Sequence, residues 1–246
     1  MKKKAGIILL LMLLVILVGC SKSNEKTKEN KSPKEEVKEQ VDFETHALDA
    51  TVNINTDSVG FGAGFIYNEI YIITNYHVIY NAKEINVITY NKDEFKATLV
   101  GYNVERDIAV LKTDRNLKSM EIGDSKKIEV GARITAIGNP NGDLSFSKAE
   151  GKLLDVPQEI LDQTDKERKY IWYDGNAISG YSGGPVIDKE GKVIGILNAR
   201  YNGDLSKYDF DNLCAIIPIN EAMPIINKII ALLRYSVRNM DILRTK

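Results

Sequence analysis

The sequence predicts an all-β domain that ends in a C-terminal helix. Short runs rich in β-branched residues alternate with Gly, Asn and Asp turns, which is the spacing of an all-β barrel protein. From residue 220 the pattern changes, because apolar residues then recur at helical spacing. The predicted strands are 50–55, 65–74, 85–90, 95–101, 108–113, 133–137, 145–154, 170–173, 185–188, 192–200 and 213–218.

The N-terminus predicts an export signal over residues 1–19. Three lysines at 2–4 precede an apolar run over 5–19, which is short for a free-standing transmembrane helix. The run ends in Leu-Val-Gly-Cys, which resembles a bacterial lipobox and implies cleavage before Cys20 with a lipid on its sulfur. The alternative is an uncleaved signal anchor. Both interpretations place the rest of the chain on the extracytoplasmic face of the cell membrane.

Residues 20–44 predict a lipidated cysteine followed by a disordered tether. The segment is rich in Lys, Glu, Ser and Asn and has almost nothing apolar to bury. As a flexible chain it would hold the domain on the order of 25 to 30 Å from its anchor. A short helix over 34–41 is the alternative, and it would shorten this reach.

Composition excludes several classes of function. The formal net charge is −1 at pH 7, so the chain shows no basic footprint for nucleic acid. The chain has two histidines and two cysteines, without clustering, which predicts no metal site and no cofactor. With Cys20 lipidated, Cys214 is left without a disulfide partner, and its apolar surroundings predict a buried, inert thiol rather than a catalytic one.

His77 and Asp107 are the first two candidate catalytic residues. His77 ends an apolar run that begins at Ile72, and a Gly-rich strand over 60–66 precedes it. Asp107 comes directly before the apolar strand that starts at Ile108. Taken alone, a core histidine and a turn aspartate are the simpler interpretations of the two residues. Their positions at strand ends also suit a base and the carboxylate that orients it.

Ser182 lies in Gly180-Tyr-Ser-Gly-Gly-Pro185, where the glycines let the backbone bend around a nucleophilic hydroxyl. The spacing also fits the nucleophile elbow of α/β-hydrolases, in which the histidine base follows the serine. Both histidines, His46 and His77, precede Ser182. The order His, Asp, Ser is instead that of chymotrypsin-like enzymes.

These three segments, in this order, resemble the trypsin-like serine proteases of the HtrA/Deg family. Supporting marks are Ala-Ile-Gly-Asn-Pro at 136–140, Tyr-Asp at 173–174 and Val-Ile-Gly-Ile at 193–196. The likeness covers roughly 48–230. It implies a double six-stranded β-barrel, with barrels over about 45–125 and 126–219 and a helix over about 220–240. The protease domain is thus predicted as residues 45–246, and the helix is expected to pack on the second barrel.

The resemblance also implies the roles of the site residues. Ser182 is the nucleophile, His77 the base and Asp107 the group that holds the imidazole, while the backbone N–H groups of Gly180 and Ser182 form the oxyanion hole. Tyr181 departs from the family, which usually has Asn there. This departure raises the question whether the tyrosine ring distorts the oxyanion loop.

For substrate recognition, the resemblance implies that Asn176 lies at the base of the pocket. Leu197, Asn198 and Ala199 are expected to form the strand edge that pairs with an extended peptide. None of these residues is charged, which predicts a small-to-medium uncharged residue at P1, the residue whose carbonyl the serine attacks. A preference for Arg or Lys is not expected, nor is one for Glu, because the histidine that glutamyl endopeptidases have on this strand is Leu197 here. Arg200, close in sequence, is interpreted as an exposed strand-end residue.

The sequence therefore predicts a membrane-anchored serine endopeptidase that cleaves unfolded or exported proteins. The alternative is a catalytically silent lipoprotein of the same fold that binds peptides or acts as a chaperone. Family members often carry C-terminal PDZ domains, and none is expected after residue 220. Many are trimers, so the resemblance allows a homotrimer.

Overall fold

The computed structural model describes residues 43–244 apart from 44, 59, 144, 157–159 and 162–168. The predicted signal peptide, Cys20 and nearly all of the predicted tether lie outside the described residues. The described part contains two closed antiparallel barrels of six strands each and a long C-terminal helix. This architecture confirms the predicted fold class.

The first barrel has the strand order β1-β2-β3-β6-β5-β4, and β1 closes it by pairing with β4. A helical turn over 45–49 precedes it. Its strands are β1 (Thr51–Thr56), β2 (Phe61–Tyr67), β3 (Tyr71–Thr74), β4 (Ile85–Thr89), β5 (Glu94–Asn103) and β6 (Ile108–Lys112).

The second barrel has the strand order β10-β11-β12-β9-β8-β7, and β10 closes it by pairing with β7. Its strands are β7 (Arg133–Gly138), β8 (Ser147–Leu154), β9 (Ile171–Gly175), β10 (Pro185–Ile187), β11 (Val193–Arg200) and β12 (Cys214–Pro218). The two barrels place the ends of β3, β6 and β11 around one cleft.

One predicted strand is in fact two. The run 65–74 is interrupted by a turn at Asn68 and Glu69, whose φ angles of 51° and 63° lie in the left-handed region. After the turn, β3 pairs back on β2, with Tyr67 opposite Tyr71. The prediction missed this turn because apolar residues flank it closely on both sides, and Asn68 was the only strong turn former present.

Where one face of a strand is exposed to solvent, buried and exposed side chains alternate along it. In β5, Phe95 and Ala97 are buried, while Lys96 between them and Thr98 after them are exposed. Strand β6 instead buries four consecutive residues from Ile108. Alternate side chains of β6 therefore enter two different cores, the interior of the first barrel and the layer between this barrel and the C-terminal helix.

The C-terminal helix, α1 (Ile219–Arg244), starts directly after β12. It packs on β11 and β12 of the second barrel, as expected, and also on β5 and β6 of the first. Gly101 on β5 allows this approach, because a Cβ there would lie 2.9 Å from Ile229 Cγ2. The helix thus bridges both barrels. Within the described residues, no helix has the combination of length and apolarity that a membrane span requires.

Candidate active site

His77 follows β3 in a short 3-10 helix (His77–Ile79), and the segment before it is tied to the loop that carries Asp107. The Asn75 side-chain amide donates to the Asp107 carbonyl at 2.9 Å, and the Tyr76 N–H donates to the same oxygen at 3.2 Å. Thr74 Oγ1 donates to the Ala63 carbonyl at 2.7 Å. These bonds fix the backbone that presents the imidazole.

The Asp107 carboxylate is buried and accepts three hydrogen bonds. His77 donates to it twice, from its backbone N–H to Oδ1 at 2.8 Å and from Nδ1 to Oδ2 at 2.5 Å. Asn198 Nδ2 donates to Oδ2 at 2.7 Å. Because an ionised carboxylate only accepts, the proton of the neutral imidazole lies on Nδ1 and the lone pair on Nε2. His77 is therefore held in the tautomer that a general base needs.

The Ser182 hydroxyl lies in the same cleft but does not bond to the imidazole. Its Oγ donates to the Asn198 carbonyl at 3.1 Å, and the described residues include no hydrogen bond between Ser182 and His77. Catalytic hydrogen bonds are often long or misaligned before substrate binds. To reach Nε2 of His77, the hydroxyl must first leave the Asn198 carbonyl.

Gly180 shapes the backbone beside Ser182. Its φ of 101° lies in the region that favours glycine, and a Cβ there would lie 1.8 Å from the Asn139 carbonyl oxygen. The Ser179 carbonyl accepts from the Asn141 N–H at 3.0 Å, so the Gly180 N–H, on the opposite side of that trans peptide, points away from this loop. Among the described residues, nothing accepts from the N–H of Gly180 or Ser182. Both donors are available to an oxyanion.

Tyr181 points away from the cleft. The side chain is 3% exposed and belongs to the core of the second barrel. Its ring lies against Gly138, where an added Cβ would lie 2.5 Å from both Cα and Cγ of Tyr181. Tyr181, larger than the Asn that is usual here, is thus accommodated on the side of the loop that faces the core and not the cleft.

The nucleophile loop docks on the first barrel through close backbone contacts. The Ala63 N–H donates to the Ser182 carbonyl at 2.9 Å. Gly183 has a φ of 82°, and a Cβ there would lie 2.2 Å from Thr74 Oγ1. Gly62 also faces this loop, because a Cβ added there would lie 2.8 Å from the Ser182 carbonyl oxygen. These contacts set the position of Ser182 relative to His77 across the barrel interface.

The cleft between the barrels has a volume of about 710 Å³ and includes only part of the predicted substrate site. Leu197, Asn198 and Ala199 line it. Asn176 does not: it is exposed, and Ala177 lines the cleft instead. The prediction that Asn176 forms the pocket base is therefore not supported, because the chain leaves β9 with the side chain of the next residue turned inward.

Asn198 does more than line the cleft. Its amide nitrogen donates to Asp107, its amide oxygen accepts from the Tyr170 hydroxyl at 2.8 Å, and its carbonyl accepts from Ser182. It thus contacts two of the three candidate catalytic residues. Sequence reasoning missed this role because 91 residues separate Asn198 from Asp107.

Cys214 lies on the cleft wall and is a free thiol. It is 1% exposed, and its Sγ donates to the Gly175 carbonyl at 3.3 Å. Burial raises the pKa of the thiol to about 11. The described residues contain no cluster of His, Cys, Asp or Glu that could hold a metal ion.

This raised pKa predicts slow modification of Cys214 in the folded protein. In a Cys20→Ser variant, where Cys214 is the only cysteine, labelling by a thiol reagent at pH 8 should be at least about a hundredfold slower than in denaturant, because only the thiolate reacts. Release of the reagent chromophore measures both rates. Equal rates would contradict the buried position of the thiol.

Comparisons with known proteins identify the family of this chain. Residues 62–196 match the family model of the trypsin-like peptidase domain. A probable periplasmic serine endoprotease, DegP-like, from Rickettsia conorii is 33% identical over 214 residues, covering 82% of this chain and 41% of the relative. A serine protease HtrA-like from Staphylococcus aureus is 30% identical over 179 residues, covering 67% and 23%. The chain thus spans less than half the length of these relatives.

Similar solved structures are also proteases. The HtrA-type protease AlgW with tripeptide superposes with a TM-score of 0.68 at 30% identity, covering 78% of this chain and 63% of that one. The serine endoprotease from Yersinia pestis gives a TM-score of 0.66 at 26% identity, covering 78% and 66%. The chain therefore belongs to the trypsin-like peptidase family, and its relatives within that family are HtrA-like and DegP-like serine proteases.

Proposed function

We propose that this protein is a serine endopeptidase in which His77, Asp107 and Ser182 cleave a peptide bond through an acyl-enzyme. The observation that carries the proposal is the pair of hydrogen bonds from His77 to Asp107, at 2.5 and 2.8 Å, in the cleft that also contains Ser182. This pair occupies Nδ1 and leaves Nε2 as the nitrogen that would accept the serine proton.

In the proposed reaction, Ser182 Oγ attacks the substrate carbonyl carbon while His77 Nε2 takes the hydroxyl proton. The tetrahedral oxyanion is stabilised by the N–H groups of Gly180 and Ser182, worth roughly 3 to 4 kcal/mol for each donor in comparable sites. The imidazolium then returns the proton to the leaving amine. Water hydrolyses the acyl-enzyme by the same steps, and Asp107 stabilises the imidazolium throughout.

We further propose that the substrates are unfolded or exported proteins, cleaved at the outer face of the membrane that holds the chain through Cys20. The residues that support the lipid anchor lie outside the described part of the chain. Support comes from the sequence of the first 20 residues and from relatives named as periplasmic endoproteases. An extended substrate strand can pair with the exposed end of β11 at Ala199 and Arg200.

One observation favours the alternative of a catalytically silent peptide-binding protein. The Ser182 hydroxyl is bonded to the Asn198 carbonyl and not to His77. Against this alternative, both oxyanion donors are free of other acceptors within the described residues, and Tyr181 is buried away from them. The arrangement supports an active enzyme whose serine rotates when substrate binds.

A fluorophosphonate probe tests this proposal. It should label the purified protein at Ser182, and the protein should cleave an unfolded substrate. The Ser182→Ala and His77→Ala variants should do neither while unfolding at the same temperature as the unmutated protein. Absence of labelling in the folded, unmutated protein would reject the catalytic proposal and favour the silent binding protein.

Gly180→Ala is expected to lower kcat by about 10²- to 10³-fold, the effect of losing one oxyanion donor. The added Cβ would clash with the Asn139 carbonyl, and the peptide must turn to relieve the clash. Gly131→Ala is the matched control, because Gly131 also has a positive φ of 85° but no atom within 4 Å of the added Cβ. A kcat loss of equal size in both variants would contradict the assignment.

A further inference from the structure

The cleft has few charged side chains, and they differ in whether a substrate could contact them. Among the residues that line it, only Asp107 and Arg200 carry a permanent charge. The Asp107 carboxylate is occupied by His77 and Asn198. Among the described residues that line the cleft, Arg200 is therefore the one permanent charge that substrate can meet.

Arg200 is anchored at the mouth of the cleft. It is the last residue of β11 and pairs with Cys214 on β12. Its Nη2 donates to Asn212 Oδ1, which fixes the guanidinium without neutralising it. In the part of the chain that the structure describes, no carboxylate forms an ion pair with Arg200.

Arg200 lies close to Cys214, on the wall of the cleft that also contains Ser182. Burial raises the pKa of the Cys214 thiol. The positive charge of Arg200 acts on the same thiol in the opposite direction and lowers its pKa. Asp174 also acts on this thiol, but less strongly than Arg200, and it does not line the cleft. Arg200 lines the same cleft and pairs with Cys214 across β11 and β12, which places a cation close to this wall.

The other side chains around this part of the cleft are neutral. Ala177, Ile178 and Ser179 come from the loop before the nucleophile, and Leu197 and Ala199 from β11. None of them carries a charge that could attract or repel a charged substrate. Among the described residues, selection for or against charge at this place therefore depends on Arg200.

We propose that Arg200 makes the cleft selective for an acidic residue, Asp or Glu, at P1 of the substrate. The inference rests on the proposed function and replaces the uncharged P1 residue that the sequence predicted. A guanidinium can hold a carboxylate by two parallel N–H···O bonds. A neutral isostere such as Gln lacks the charge, and a basic residue is repelled.

The expected size of this preference is about tenfold in kcat/KM. One hydrogen bond to a charged group strengthens binding by about tenfold to a hundredfold. The lower end applies because Arg200 is exposed in the free protein and water screens exposed ion pairs. The same screening predicts that the preference becomes smaller as ionic strength rises.

Two peptides that differ only by Glu or Gln at P1 test the inference. The unmutated protein should cleave the Glu peptide about tenfold better, and Arg200→Gln should reduce the ratio of kcat/KM values to about one. Arg133→Gln is the matched control, since Arg133 is exposed on β7 outside the cleft, and it should keep the full ratio. A ratio near one in the unmutated protein, or an unchanged ratio in Arg200→Gln, would overturn the inference.

A binding measurement separates this inference from the proposed function. In a Ser182→Ala background, calorimetric titration should show tighter binding of the Glu peptide than of the Gln peptide, and adding Arg200→Gln should remove the difference. If the probe labels Ser182 but binding does not distinguish the peptides, the inference fails and the catalytic proposal stands. If binding distinguishes the peptides but the protein is neither labelled nor able to cleave them, the catalytic proposal fails and the preference for an acidic residue stands.

Discussion

Replacing His77 with alanine is expected to lower kcat for peptide cleavage by about 10⁶-fold. Without the imidazole, the described residues of the cleft offer no other base for the Ser182 proton, since the Asp107 carboxylate is already bonded to Asn198 and to the His77 backbone. The remaining activity, about 10³- to 10⁴-fold above the uncatalysed rate, would come from the oxyanion hole and substrate binding. Steady-state cleavage of a quenched peptide measures the loss.

The chain offers a matched control for this variant. His46, the only other histidine, lies in the helical turn before β1 and does not line the cleft. His46→Ala should therefore leave kcat unchanged. A loss of only tenfold in His77→Ala, with the fold intact, would mean that another group serves as the base.

Asp107→Asn is the second change with a very large expected effect, a loss of about 10⁴-fold in kcat. Three donors converge on the Asp107 carboxylate, two of them from His77. An amide at this position replaces one acceptor oxygen with a donor. When the amide nitrogen faces Nδ1, the imidazole must move its proton to Nε2, where it blocks acceptance of the serine proton.

The fold should tolerate this substitution. Asp107 has a φ of 54°, a conformation that Asn adopts about as readily as Asp. Thermal unfolding checks the fold, and the nitrogen chemical shifts of His77 report which ring nitrogen carries the proton. Asp57→Asn provides the control, because Asp57 is an exposed carboxylate outside the cleft that accepts from the backbone N–H groups of Lys83 and Glu84. Asp107→Asn with the proton still on Nδ1 and full activity would contradict the proposed role of the carboxylate.

Much of the fold could be predicted from the sequence because its signals are local. Alternating apolar residues and turn formers placed most strands within a few residues, and the helical period of the isoleucines predicted α1. The exception at Asn68 shows the limit, since a tight turn between two apolar runs leaves little local signal. The contact of α1 with the first barrel was also missed, because nothing in a helix sequence tells which strands of another barrel it covers.

For the candidate site too, some residues could be predicted from the sequence and others could not. The sequence by itself determined that His77, Asp107 and Ser182 occur in the order of one catalytic design, and that a glycine at 180 frees the loop beside the nucleophile. Residue type and chain order were sufficient for this, and the structure brings the three residues to one cleft.

Only the tertiary structure decided which side chains enter that cleft. Asn198 reaches Asp107 and Arg200 reaches the pocket mouth because of how β11 ends, with a register shift between Leu197 and Ala199. One residue of shift moves a side chain to the opposite face of a strand, so the sequence could not assign these positions. The side chain of Tyr181 is buried in the core of the second barrel because Gly138, 43 residues earlier, leaves space for its ring.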